Sequence, residues 1–173
     1  MALMIPPTPA ETGNKPVPQG ELDVFEQLKK NTPNDWVVLH SLRLKNHEFK
    51  KSGEADFVVI TDKGVLILEV KGGKNHRNEK GQWVQTKRGG SDRVSNEGPF
   101  NQAMGAYFAI ETYLKKTGNK ALIERLPCGW GVVMPHCIQA SPKDDPEIDP
   151  EMLLDQKQFP EGLVDWVNAL VEY

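Results

Sequence analysis

Three ionisable side chains interrupt an otherwise apolar stretch at residues 53–73, GEADFVVITDKGVLILEVKGG: Asp56, Glu69 and Lys71. Two carboxylates held close together repel, and in a poorly solvated place at least one tends to protonate. A divalent cation relieves that repulsion. Mg²⁺ favours carboxylate oxygens and keeps several of its waters. A lysine beside such an ion can orient or help deprotonate a water, or stabilise charge on a phosphate. Gly72 and Gly73 follow at once and allow a phosphate backbone to come near. Metal-assisted phosphodiester hydrolysis fits these parts. The competing interpretation is a cross-strand ion pair of Lys71 with Asp56 or Glu69. For all three residues together, followed by two glycines and a basic loop, the functional reading is the stronger.

The elements that must position these groups are two strands, expected at 55–61 and 65–71, joined across Asp62, Lys63 and Gly64. Side chains alternate along a strand, so Glu69 and Lys71 share a face. If Asp62 and Lys63 form a two-residue loop, Thr61 pairs with Gly64, and Asp56 stands opposite Glu69 with β-carbons ~5 Å apart. A three-residue loop puts Asp56 on the other face unless a bulge restores it.

The rest of the chain supplies a scaffold. Residues 1–19 hold five prolines without apolar periodicity and read as a flexible arm; 20–173 reads as one domain. A helix is expected from Gly20, with Val24, Phe25 and Leu28 on one face. Glu21 shares that inward face, although a helix-capping role is an equal alternative. Residues 36–39 read as a short strand and 43–52 as irregular and basic. Residues 75–93 are polar, with one edge strand near 83–86. Pro99 opens a second helix, whose stripe is Ala103, Tyr107, Ile110 and Leu114. Residues 130–134 read as a core strand, 141–149 as a loop, and 163–171 as a last helix. The fold class is α/β, a mixed central β-sheet flanked by helices. The chain stops inside the last helical pattern, which suggests that more protein follows.

The 173 residues carry a net charge of -3, 38% hydrophobic and 26% charged side chains. No apolar run approaches the ~20 residues that span a bilayer. The first residues lack the basic start of a signal peptide, and Cys128 and Cys137 are too few for a disulfide framework. A cytoplasmic protein with no membrane partner is expected. The charge is unevenly spread. Residues 71–93 hold seven Lys/Arg against two acids, and residues 143–173 hold two lysines against nine acids. Lys74, Arg77, Lys87 and Arg88 are the candidate DNA contacts, with more weight on the cluster than on any member. His40 reads first as a core histidine; His47 and His76 read as solvated, with a phosphate contact the alternative for His76; His136 and Cys137, near Cys128, do not read as a converging metal site; and Trp83 and Trp130 read as packing.

Asp, then Glu-x-Lys on the next strand, is the signature of the PD-(D/E)xK nuclease superfamily, here with Ala55 in place of the proline. The wider wording resembles the nuclease-related domain, or NERD, family. The ordered matches are Gly20 and Glu21, His40, the run Gly53 to Asp56, the run Glu69 to Gly73, Gly81 to Trp83, and Pro99 to Gln102. The resemblance implies a restriction-endonuclease-like core and a Mg²⁺- or Mn²⁺-dependent deoxyribonuclease for DNA processing or defence. It implies Asp56, Glu69 and Val70 as metal ligands, Lys71 as the catalytic lysine, and Glu21 and Gln102 as further site residues. It implies DNA as a partner, with a helicase domain or subunit attached and homodimer formation as an option. The alternative is a non-cleaving DNA-binding module that targets an attached helicase or partner.

Overall fold

The computed structural model describes residues 1–9, 16–44, 53–86, 89–119, 121, 124–139 and 145–173. The central feature is a six-stranded sheet. Its strands are β1 (Leu3–Ile5), β2 (Val37–Leu44), β3 (Gly53–Ile60), β4 (Val65–Val70), β8 (Cys128–Met134) and β9 (Leu153–Asp155), in that spatial order. The pairs β2–β3 and β3–β4 are antiparallel, whereas β1–β2, β4–β8 and β8–β9 are parallel. A second sheet of three short antiparallel strands contains β5 (Lys74–Arg77), β6 (Trp83–Thr86) and β7 (Asp92–Ser95).

The helices cover the two faces of the large sheet, as its aliphatic runs require. Helix α1 (Gln19–Asn31) buries Val24, Phe25 and Leu28, and α3 (Leu163–Glu172) buries Leu163, Val167 and Leu170. Both pack in one cluster with Phe57, Val59, Leu66 and Leu68. Helix α2 (Pro99–Lys116) lies on the opposite face, where Ala106, Tyr107 and Ile110 meet Ala55, Val58 and Ile67. Pro99 stands at the start of α2 as expected.

Thr61 donates its N–H to the Gly64 carbonyl at 2.9 Å, so the β3–β4 turn is the two-residue form. The pairs run from Ile60 with Val65 to Phe57 with Leu68. The ladder ends there, one residue short of Asp56 and Glu69.

Four segments differ from expectation. The first residues are not a flexible arm: β1 lies beside β2, with Ala2 and Met4 buried in the α1 side of the core. Prolines stop a helix but do not prevent a three-residue edge strand ahead of them. The strand expected at 36–39 runs on to Leu44. The polar region after β4 holds three strands rather than one. Strand β9, only three residues long, completes the sheet edge with Leu153, Leu154 and Asp155 buried.

Candidate active site

Parallel strands β4 and β8 end side by side, and the crevice beyond such carboxyl ends is where open α/β sheets bind ligands. Lys71 leaves the end of β4, its N–H donating to the Val133 carbonyl at 2.9 Å. A cleft of about 1200 Å³ opens there, lined by Glu21, Asp56, Glu69, Val70 and Lys71 on the large sheet and α1, and by Lys74, Gln85 and Arg93 on the small sheet.

A local slip in the strands positions Asp56. Phe57 and Val59 face α1 and α3, and strict alternation would send Ala55 the same way. Ala55 instead packs with Val58 on the α2 side. Strand β2 slips at the same level, since Leu39 and Leu42 both reach the α2 side. Between them Ser41 takes φ 53°, a left-handed conformation that costs a side-chain-bearing residue about 1–2 kcal/mol. Backbone strain of this kind concentrates at functional sites. The slip turns the Asp56 carboxylate toward the end of β4, where Oδ2 accepts the Val70 N–H at 2.8 Å.

Glu69 is buried and ion-paired with Lys71. Burial pushes the Asp56 carboxyl well above the ordinary range, and Glu69 and Glu21 push it further. Lys71 and the Val70 N–H only partly offset this. Burial also raises Glu69, against the opposing pull of Lys71. For Lys71, burial alone would favour the neutral amine, yet Glu69 and Asp56 outweigh it and hold the ammonium above its usual value. Asp56, Glu69 and Glu21 thus crowd one another, and Lys71 offsets only Asp56 and Glu69.

Among the described residues no three His, Cys, Asp or Glu side chains converge tightly enough to cage a metal alone. The donor set nevertheless suits a hard cation that retains water. Asp56 and Glu69 supply anionic oxygens. The Val70 carbonyl leaves the strand on the same side as its N–H, toward Asp56.

Glu21 stands in the first turn of α1. Its Oε2 lies 3.5 Å from His40 Nε2. His40 is a core histidine, with Phe25 and Phe57 ring centroids at 5.3 and 4.8 Å, and Glu21 lies beside it at the cleft wall. Gly20 explains how α1 gets so near. A β-carbon there would come within 2.9 Å of the Gly72 α-carbon, so helix and strand end meet backbone to backbone. Gly72 therefore serves this approach as well as any approach of a ligand.

Gln102 lies on α2 beside a small cavity that Lys71 also lines, and its buried Oε1 has no hydrogen-bond partner among the described residues. Lys74 is exposed at the cleft. Arg77 is not placed there. Its guanidinium pairs with Asp145 at 2.7 Å and Glu147 at 3.2 Å and also donates to the Gly81 carbonyl, an internal clasp away from the other expected DNA contact, Lys74. Lys87 and Arg88 lie outside the described residues. Sequence reasoning missed the pair of His136 Nε2 with Asp23 Oδ2, 2.6 Å apart at the cleft wall. The two residues are 113 positions apart, and only the adjacency of β8 to β4 brings them together.

A mixed sheet with acids and a lysine gathered at its strand ends defines a nuclease-like α/β fold. The sequence profile of the nuclease-related domain (NERD) family matches residues 18–129, from α1 to the start of β8, and the chain belongs to this family. No curated protein and no solved structure matches it. Among the described residues, no helix is long and apolar enough to cross a membrane.

Proposed function

We propose that the protein is a metal-dependent deoxyribonuclease that hydrolyses phosphodiester bonds in the cleft at the end of β4. The observation that carries this reading is the convergence of Asp56, Glu69 and Lys71 at one strand end of a domain of the NERD family. Asp56, Glu69 and the Val70 carbonyl would hold Mg²⁺ or Mn²⁺. When bound, the cation supplies Lewis-acid charge at the phosphate and makes a water more acidic. Lys71, held as an ammonium by Glu69, orients the attacking water and stabilises charge on the phosphate oxygens. Glu21 adds a carboxylate at the water side of the cleft, and the Gln102 amide faces the Lys71 side. Lys74 contributes a backbone contact. A helicase domain or subunit, pairing of two copies and a cytoplasmic location are extensions of this reading that rest on the resemblance and composition alone.

The test incubates the protein and its Asp56→Ala and Lys71→Ala variants with supercoiled, linear and single-stranded DNA, each in Mg²⁺, Mn²⁺ or EDTA. Cleavage that needs metal and falls at least ~100-fold in both variants is expected. Cleavage that persists in Lys71→Ala would sink the role given to that lysine. DNA binding without any cleavage would favour a targeting module instead.

A further inference from the structure

We propose that Arg93 grips the phosphodiester under attack, sharing it with Lys71 across the cleft. The inference rests on the nuclease reading above and adds a substrate contact from the small sheet, for which neither the basic run nor the family resemblance singles out Arg93.

The small sheet sets the geometry. Asn75 pairs with Gln85, and Gln85 with Arg93, so these three residues form one row across its strands. Residues in such a row project to the same face. The first two members are tied to the turn after β4. Asn75 Nδ2 donates to the carbonyls of Lys71, Gly72 and Gly73 at 3.3, 3.5 and 3.3 Å, and Gln85 Nε2 donates to Gly72 at 2.9 Å. The third member is thereby carried over the same turn. Arg93 lines both the large cleft and the small cavity beside Lys71 and Gln102. Its neighbour Asp92 belongs to the other face, where it takes a hydrogen bond from Thr86 at 2.7 Å.

The charges then point to a ligand. Arg93 is exposed and shares the lining of the small cavity with Lys71. A phosphate that enters this space meets both cations, while Glu69 pairs with Lys71 and Glu97 lines the cavity wall. A guanidinium matches two non-bridging phosphate oxygens with a pair of parallel N–H donors, whereas an ammonium acts as a point charge. The phosphate that lies against Lys71 is the one at the Asp56–Glu69 centre, so Arg93 is assigned to the reacting phosphate rather than to a distant one.

The experiment compares wild type, Arg93→Ala, Arg93→Lys and Lys71→Ala. It measures steady-state cleavage in Mn²⁺, and salt-dependent binding of a fluorescein-labelled single strand and its duplex in EDTA. Arg93→Ala is expected to keep the unfolding midpoint, to lower kcat ~100-fold with a smaller change in KM, and to reduce the slope of log Kd against log salt by about one. Arg93→Lys should restore the slope but not kcat. If Arg93→Ala cuts and binds as wild type does while Lys71→Ala is inactive, the nuclease reading stands and the role of Arg93 is overturned. If wild type binds without cutting, the nuclease reading fails and binding alone judges Arg93: a slope lower by about one keeps the phosphate contact, and an unchanged slope removes it. A wild type that neither binds nor cuts overturns both.

Discussion

Two ionic clusters lie near the two ends of strand β5 and are built from the same kinds of residue. At the Arg77 end, Asp145 and Glu147 each take two donors. Asp145 Oδ1 takes the Arg77 guanidinium at 2.7 Å and the Glu147 N–H at 3.0 Å. Glu147 takes Arg77 on one oxygen and the Trp83 indole N–H, at 3.0 Å, on the other. At the Lys74 end, the cleft holds Glu21, Asp56 and Glu69 around Lys71, with far fewer donors to share. The first arrangement is a closed clasp between the small sheet and the acidic segment after residue 144. The second is a set of buried acids whose protonation is disturbed by burial and by one another. Charge and residue type do not separate structural ion pairs from candidate sites; hydrogen-bond saturation does.

The strongest way to break this contrast is Arg77→Ala. It leaves two partly buried carboxylates without their cation, and the loss is expected to be about 2–3 kcal/mol, discounted for partial exposure from the value for a fully buried pair. Urea unfolding would show it. DNA cleavage per folded molecule should not change at a permissive temperature. A variant that unfolds like wild type but binds DNA more weakly would return Arg77 to the nucleic-acid surface and undo the distinction.

Asp56→Asn probes the other cluster and should act in the opposite direction. The amide keeps an acceptor for the Val70 N–H but removes the buried charge. A carboxyl whose folded pKa lies above its unfolded one adds stability below the unfolded value. That contribution is lost as pH rises through the folded pKa. In EDTA at pH 8, the variant should therefore be more stable than wild type, by on the order of 1 kcal/mol, and the gap should close as the pH is lowered. Mn²⁺ should raise the melting temperature of wild type and leave Asp56→Asn nearly unmoved. A variant less stable than wild type in EDTA at pH 8 would mean that the carboxylate is satisfied after all.

The contrast also marks what was legible in the sequence. The strands that carry Asp56, Glu69 and Lys71 were, because charges stand out in runs as apolar as FVVI and VLIL, and a two-residue turn fixes the register from Ile60 with Val65 to Phe57 with Leu68. The α1 face with Glu21 was legible from helical periodicity. Strands β5 and β7 were not. Lys74–Arg77 and Asp92–Ser95 are short and nearly devoid of apolar residues, because one face looks to solvent and the other onto polar backbone at the β4 turn. Without those strands the row Asn75, Gln85 and Arg93 has no visible order, so Arg77 and Arg93 look alike in a basic run. The slip at Ser41 and Asp56 was hidden for a different reason: a left-handed serine leaves no mark in composition or periodicity.

The smallest expected effect tests whether saturation or charge holds the clasp. Glu147→Gln removes one negative charge but keeps an oxygen for the Trp83 indole, and Arg77 retains Asp145 at 2.7 Å. The Glu147 side chain is also 41% exposed, so water screens much of its attraction to Arg77. If donor satisfaction is what matters, the substitution should cost only ~0.5 kcal/mol, as at other exposed pairs, with unchanged tryptophan fluorescence. A loss as large as that of Arg77→Ala would instead mean that net charge binds the acidic segment to the small sheet. The same electrostatic argument would then apply at both ends of β5, and the claim that the cleft differs in kind would fail.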